Sequence, residues 1–309
     1  MSHTKKLASV LSAVILAVLV AGFANSAAKN TVERANFHHV RINVTEPDES
    51  IKFYTRNLGA VEVEYHNRVP ALFTERSFIL FNKVAEAPPY MPKSAVSHIG
   101  WASVDGQSDY EWLKSRKVDF ETDIQSLGRN NYMYFYGPDK ELLELYTGDK
   151  NHRFNHVHLW ASDVGETVNW FRDHLGFPVR VGPKPPENEA SSLASLWIGS
   201  VQADNVGIIV FGRPSADFKH IAWPGGSYKP EDGPEGEFEP TKGRAINHIA
   251  FSYRDIRPVF DRMKEAGVEI VEPISKNEDL GHTSFFVMAP DKVLVEVVEA
   301  KPIPEGSWE

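Results

Sequence analysis

Six side chains in this 309-residue chain have the types and surroundings to hold a metal ion. Four histidines, His39, His98, His156 and His248, each introduce a short apolar run: "NFHHVRINV", "VSHIGWASV", "FNHVHLWAS" and "INHIAFSYR". Two glutamates, Glu144 and Glu296, lie inside apolar runs that follow a Pro-Asp-Lys turn, "PDKELLELY" and "PDKVLVEVV". A carboxylate within such a run requires a cation or several donors to be tolerable. The chain has no cysteine, which excludes disulfides and thiolate chemistry, so metal ligands must be His and carboxylate. Two imidazoles and one carboxylate on one face of an ion leave room for further donors, the arrangement associated with non-haem iron. A substrate with two adjacent oxygens can chelate there, with the ion acting as a Lewis acid. The plainer alternative is that duplication copied a strand-start histidine whose only task is a hydrogen bond.

The elements that would carry these residues recur. After the first histidine strand comes "EPDESIKFYTRNLGA", with Ile51, Tyr54 and Leu58 at helical spacing and Gly59 suited to a helix C-terminus. "VEVEY", "ALFTE" and "SFILFN" then read as strands, giving a β-α-β-β-β module. The third module repeats this order, with Val164, Val168, Phe171 and Leu175 on one helical face of "DVGETVNWFRDHLGF". Glycine and proline concentrate in a long loop near residues 213–243, which delays the fourth histidine and is either an insertion or a lid.

Strand alternation separates facing residues. Aligning the four starts selects His39, His98, His156 and His248, with His38 on the opposite face, and superimposing "DKELLELY" on "DKVLVEVV" matches Glu144 with Glu296, with Glu141 and Glu299 on the opposite face. Two residues beyond each histidine, on its own face, stand Arg41, Gly100, His158 and Ala250. Arg41 could hold an anionic substrate group or reach solvent. His158 could support a ligand, replace one, or be a hydrogen-bonded core histidine. Gly100 would leave space. His174 reads as structural, its charge suiting a helix C-terminus. His66, His152 and His220 fall in polar or loop segments.

The formal charge of −9 and the absence of Lys/Arg clusters argue against a nucleic-acid partner and for a small-molecule substrate. Residues 1–28, with Lys5 and Lys6, an apolar run from Leu7 to Ala24, and Ser26, Ala27 and Ala28, read as a secretory signal peptide. The competing reading is an uncleaved anchor. The expectation is a periplasmic or secreted protein with no stable membrane association after cleavage.

With the four histidine starts, the helix endings "YTRNLG" and "FRDHLGF" and the two "PDK" endings, the chain resembles the vicinal oxygen chelate superfamily: glyoxalases, extradiol dioxygenases, fosfomycin resistance enzymes and bleomycin-binding proteins. The resemblance implies an α+β fold of four βαβββ modules paired into two glyoxalase/dioxygenase-like domains with curved mixed sheets, 36–148 and 154–300. It implies one site from His39, His98 and Glu144 and another from His156, His248 and Glu296, each for a divalent metal such as Fe, Mn, Zn or Ni. Tyr134 matches a dioxygenase tyrosine that precedes the glutamate, where the second half has Phe286; with Arg41 it is the candidate catalytic residue. The further acid-base histidine is missing from its usual strands; His282, in "LGHTS", either approaches the second site or is a turn residue. The isomerase carboxylate is missing from "FILFN" and "IIVFG". These features imply a metal-dependent, dioxygenase-like enzyme, monomeric or homodimeric. The alternatives are a glyoxalase-type lyase or isomerase and a non-catalytic binder of the bleomycin-resistance type.

Overall fold

The computed structural model describes residues 32–88, 94–127, 129–185, 197–212 and 237–303. The segment read as a signal peptide and most of the 213–243 loop lie outside them. Among the described residues no helix is long and apolar enough to cross a membrane.

The first module runs β1 (Asn36–Val44), α1 (Pro47–Leu58), β2 (Val61–Tyr65), β3 (Val69–Thr74) and β4 (Ser77–Lys83). The second runs β5 (Val96–Ser103), α2 (Gly106–Ser115), β6 (Gln125–Leu127), β7 (Asn130–Tyr136) and β8 (Leu142–Thr147). The third comprises β9 (Arg153–Ala161), α3 (Val164–Leu175), β10 (Val179–Val181), β11 (Ile198–Ala203) and β12 (Val206–Gly212). The fourth comprises β13 (Ile246–Tyr253), α4 (Arg257–Glu265), β14 (Ile270–Asn277), β15 (His282–Ala289) and β16 (Val293–Glu299). Local chemistry sets the helix ends. Pro47 opens α1 and Gly59, at φ 68°, closes it, while the Asp163 carboxylate accepts from Glu166 N at the start of α3.

Two eight-stranded mixed open sheets result. Their orders are β14-β15-β16-β13-β1-β4-β3-β2 and β10-β11-β12-β9-β5-β8-β7-β6. The modules therefore share sheets as first with fourth, the outer pair, and second with third, the inner pair. This corrects the expected partnership of neighbours in sequence: residues 36–148 and 154–300 each give one module to each sheet. The leading strands pair antiparallel, β1 with β13 and β5 with β9. Any two modules have the same apolar alternation, so periodicity leaves the partner undetermined.

Modules adjacent in sequence meet instead through turns and a shared core. Tyr54 of α1 donates to Glu141 Oε1 at 2.7 Å, and Thr45 donates to Asp139 at 2.6 Å. Burial pushes the Glu141 carboxyl up to about 7. On the other side, Ser162 N donates to Asp291 at 2.9 Å. Val40, Ile42, Ile99, Trp101, Val157, Leu159, Ile249 and Phe251, the residues that alternate with the site-facing ones, lie in one continuous core across both sheets.

The outer sheet curls until its two ends touch. Tyr65, ending β2, bonds His282 at the start of β15 (Oη to Nδ1, 2.8 Å), and Arg68 donates to the Glu278 carbonyl at 2.9 Å. A small apolar cluster of Tyr65, Ala71, Leu80 and Leu280 seals that seam.

Candidate metal centres

All six candidate ligands are buried, and the sheet pairing sorts them into two groups. His39, His248 and Glu296 converge in the outer cup, and His98, His156 and Glu144 in the inner one. The structure thus brings the six together but exchanges His98 and His248 between the expected sites. The cause is the strand order: β1 lies beside β13, and β5 beside β9.

Each cup repeats one construction. His39, Ala250 and Glu296 are successive neighbours across β1, β13 and β16; His156, Gly100 and Glu144 are the same across β9, β5 and β8. The second histidine of each cup, His248 or His98, lies opposite Arg41 or His158. His39 Nε2 and His248 Nε2 lie 3.2 and 3.1 Å from Glu296 Oε2. In the inner cup His98 Nε2 and His156 Nε2 lie 2.9 and 3.1 Å from Glu144 Oε2. Donors about 2.1 Å from one ion and at right angles to each other are about 3.0 Å apart, so each imidazole nitrogen has the spacing of an adjacent ligand from its carboxylate oxygen, and the three ligand atoms of each cup lie within 4.8 Å of one another.

A β-bulge explains how each histidine is held. The ladder between the leading strands slips at four places, and the extra residue is His38, Ser97, Asn155 or Asn247, in every case the one preceding a ligand histidine. The bulge brings that residue back to the histidine's ring. His38 Nδ1 lies 2.8 Å from His39 Nδ1, Ser97 Oγ 3.1 Å from His98 Nδ1, Asn155 Oδ1 2.8 Å from His156 Nδ1 and Asn247 Oδ1 2.8 Å from His248 Nδ1. The expectation that His38 faces away from His39 is therefore wrong, because simple alternation fails at a bulge. Sequence reasoning missed these four supporting residues; their signal was a polar residue immediately before every leading histidine.

The two asparagines fix the protons. An amide oxygen only accepts, so Nδ1 of His156 and of His248 donates to it, and Nε2 is the ring atom left facing the carboxylate. A divalent ion at that place would take Nε2 and the carboxylate oxygen together as ligands. His39 offers its Nε2 in the same way: it is buried, 3.2 Å from Glu296, and has no hydrogen-bond partner among the described residues. Burial, partly opposed by Glu296, lowers the His39 imidazole to about 3, and burial lowers His98 as well, so both rings are neutral donors. Burial alone would raise both glutamates, but the facing imidazoles outweigh it and hold Glu144 and Glu296 well below the usual carboxylate range. The residues present fit a divalent ion in each cup.

Around this shared frame the cups differ. In the outer cup His282, buried, donates Nε2–H to Glu296 Oε1 at 2.9 Å while Tyr65 donates to its Nδ1. Of its two expected roles, His282 therefore has the one at the site, joining the cup that contains Glu296. Phe286 lies opposite Glu296, where the inner cup has Tyr134 opposite Glu144. Burial, then the Glu144 charge, raise the Tyr134 hydroxyl well above its ordinary value. Tyr134 and Arg41, expected together, are thus in different cups. Gly100 does not leave open space: a Cβ there would lie 1.9 Å from the His156 ring, which fills it. His158 is buried beside His98, ring centroids 4.5 Å apart, with Nδ1 lacking a partner among the described residues. His174, away from both cups, is pushed down by burial and by Arg262, contrary to the expected helix-end charge.

Residues 36–145 and 153–297 match the family model described as Glyoxalase/Bleomycin resistance protein/Dioxygenase superfamily. Among solved structures, glyoxalase I from Zea mays superimposes with a TM-score of 0.63 at 15% identity, covering 86% of this chain and 92% of that one. A Bacillus subtilis protein named as a candidate dioxygenase superimposes with a TM-score of 0.57 at 13% identity, covering 86% of each chain. At these identities the likeness is one of fold. No curated protein matches the chain by sequence.

Proposed function

Because the chain belongs to the Glyoxalase/Bleomycin resistance protein/Dioxygenase superfamily, we propose that it is a metal-dependent enzyme acting on a small substrate with vicinal oxygens, in a dioxygenase-like reaction. The observation that carries this reading is the pair of asparagine-held rings, His156 and His248, whose Nε2 atoms point at carboxylates only 3.1 Å away. His39, His248 and Glu296 would hold one divalent ion, and His98, His156 and Glu144 another. A bound ion supplies Lewis acidity toward the two substrate oxygens. The protein's own residues do the rest. His38, Ser97, Asn155 and Asn247 fix the imidazoles, and His282 with Tyr65 orients Glu296 in the outer cup. The strongly bound phenolic proton of Tyr134 makes it a hydrogen-bond donor to substrate oxygen in the inner cup.

A glyoxalase-type isomerase is the second reading, and one feature weighs against it. The strands beside β1 and β9 place Phe78 and Leu80, Gly207 and Ile209 next to the ligand histidines and the residues two beyond. No carboxylate stands there to serve as a further ligand or base. The N-terminal pattern of Lys5, Lys6 and the Leu7–Ala24 run supports export of the mature chain.

Elemental analysis of the purified chain together with oxygen uptake on a catechol panel tests the proposal. Two equivalents of iron or manganese with uptake are expected, and Glu144→Ala and Glu296→Ala should each remove about half the metal. Zinc, nickel or cobalt without uptake would favour the isomerase, and a metal-free chain would refute both.

A further inference from the structure

The cups differ by one cation. Arg41 lies on β1 directly opposite His248, and the corresponding position in the inner cup, opposite His98, is His158. Arg41 is partly buried, and its Nη1 is fully enclosed with no hydrogen-bond partner among the described residues. The titratable groups that face it from neighbouring elements are Glu296 of β16, Asp279 of the β14–β15 turn and Tyr65 of β2. Glu296 is already engaged, Oε2 facing His39 and His248 and Oε1 accepting from His282. An enclosed guanidinium N–H without an acceptor is costly, and Arg keeps its charge at any ordinary pH, so the group is suited to an acceptor arriving with a ligand. His158 also has an unpartnered Nδ1 among the described residues, but an imidazole lacks the planar fork of donors that a guanidinium presents. Beside any ion it holds, the outer cup therefore has a permanent cation at this position.

We propose that Arg41 is a specificity-determining residue, making the outer cup select substrates in which a carboxylate or phosphoryl group lies near the two chelating oxygens, while the inner cup takes uncharged chelators. A fork of N–H donors beside the ion binds such an anion in a directed way that a point charge does not. Phe78 and Leu80, flanking His39 and Arg41 on β4, supply the apolar wall that strengthens the contact. This inference rests on the reading of both cups as metal sites.

The test uses zinc-loaded full-length protein, calorimetry, and two kinds of probe: acetohydroxamate, a neutral-tailed bidentate chelator, and hydroxamates bearing a terminal carboxylate on one, two or three methylenes. With the inner cup disabled by Glu144→Gln, the best carboxylated probe should bind about tenfold or more tighter than acetohydroxamate. Arg41→Met should abolish that ratio while zinc stoichiometry and acetohydroxamate affinity hold within about twofold, and Arg41→Lys should restore part of it. With Glu296→Gln instead, leaving only the inner cup, the ratio should stay near one. A ratio near one for every tail length in the outer cup overturns the assignment. So does a preference that survives Arg41→Met, or an equal preference in the inner cup. Absence of bound zinc in the Glu144→Gln chain would refute the metal-site reading itself, and the role of Arg41 with it.

Discussion

The outer and inner cups share a frame and differ in what surrounds it. Both place a histidine, a small residue and a glutamate side by side across three strands, and both hold each ligand ring by the residue bulged out before it. The frame is a property of backbone register, and duplication copies it intact. What differs is the surroundings: Arg41, His282 and Phe286 on one side, His158 and Tyr134 on the other. On the proposed function, ion binding and substrate preference would therefore be separable, the first set by the ladder and the second by side chains that the ladder leaves free to vary.

The largest test of this comparison uses pairs of substitutions. His39→Ala with Glu296→Gln affects one cup and should leave one equivalent of metal per chain, as either change alone does. His39→Ala with Glu144→Gln affects both and should leave none. If the ligands were grouped as modules adjacent in sequence, the two double variants would behave the other way round, so elemental analysis separates the two arrangements without reference to activity.

A smaller effect is expected where the frames differ by one methyl group. Gly100→Ala places a Cβ on the His156 ring, whereas the outer cup already has Ala250 at that place, opposite His39. Gly100→Ala should weaken metal binding in the inner cup by about two orders of magnitude, the scale of an overpacking penalty. Ala250→Gly should leave the outer cup's affinity nearly unchanged, by competition titration against a chromophoric chelator. Equal responses would mean that the two rings are not seated alike.

The mildest change removes a ring's support alone. Asn155→Ala and Asn247→Ala should each lower affinity by about 10–100-fold, the usual effect of losing an outer-shell partner, in one cup only. In 15N spectra of the apo-protein the corresponding imidazole should lose its Nδ1–H preference. A ring that keeps the same tautomer without its asparagine would refute the proton assignment and, with it, the case for an ion between ring and carboxylate.

The sequence made the modules legible because their helices obey a 3.6-residue rhythm: Val164, Val168, Phe171 and Leu175 are all buried, as are Ile51, Tyr54 and Leu58. It also made the six polar residues legible, since a glutamate flanked by valines must be compensated by a cation or by several donors. The partner of each strand was not legible, because β1 would present the same alternating face to β5 or to β13. His38 was misread for a related reason: strict alternation assumes an unbroken ladder, and a bulge reverses it for one residue. His282 was ambiguous because nothing local says that a turn in the fourth module meets the end of β2 in the first; that contact depends on how far the sheet curls.

The strand order has a consequence for how the molecule comes together. The modules are nested like brackets, second with third inside first with fourth. Closing the inner bracket joins segments separated by a short connection, while closing the outer one brings together nearly the two ends of the described chain, at a greater entropic cost that the inner closure reduces. A ribosome must therefore release almost the entire polypeptide before β1 can find β13. Severing the chain at its midpoint would give two fragments, neither of which contains all three candidate ligands of either cup.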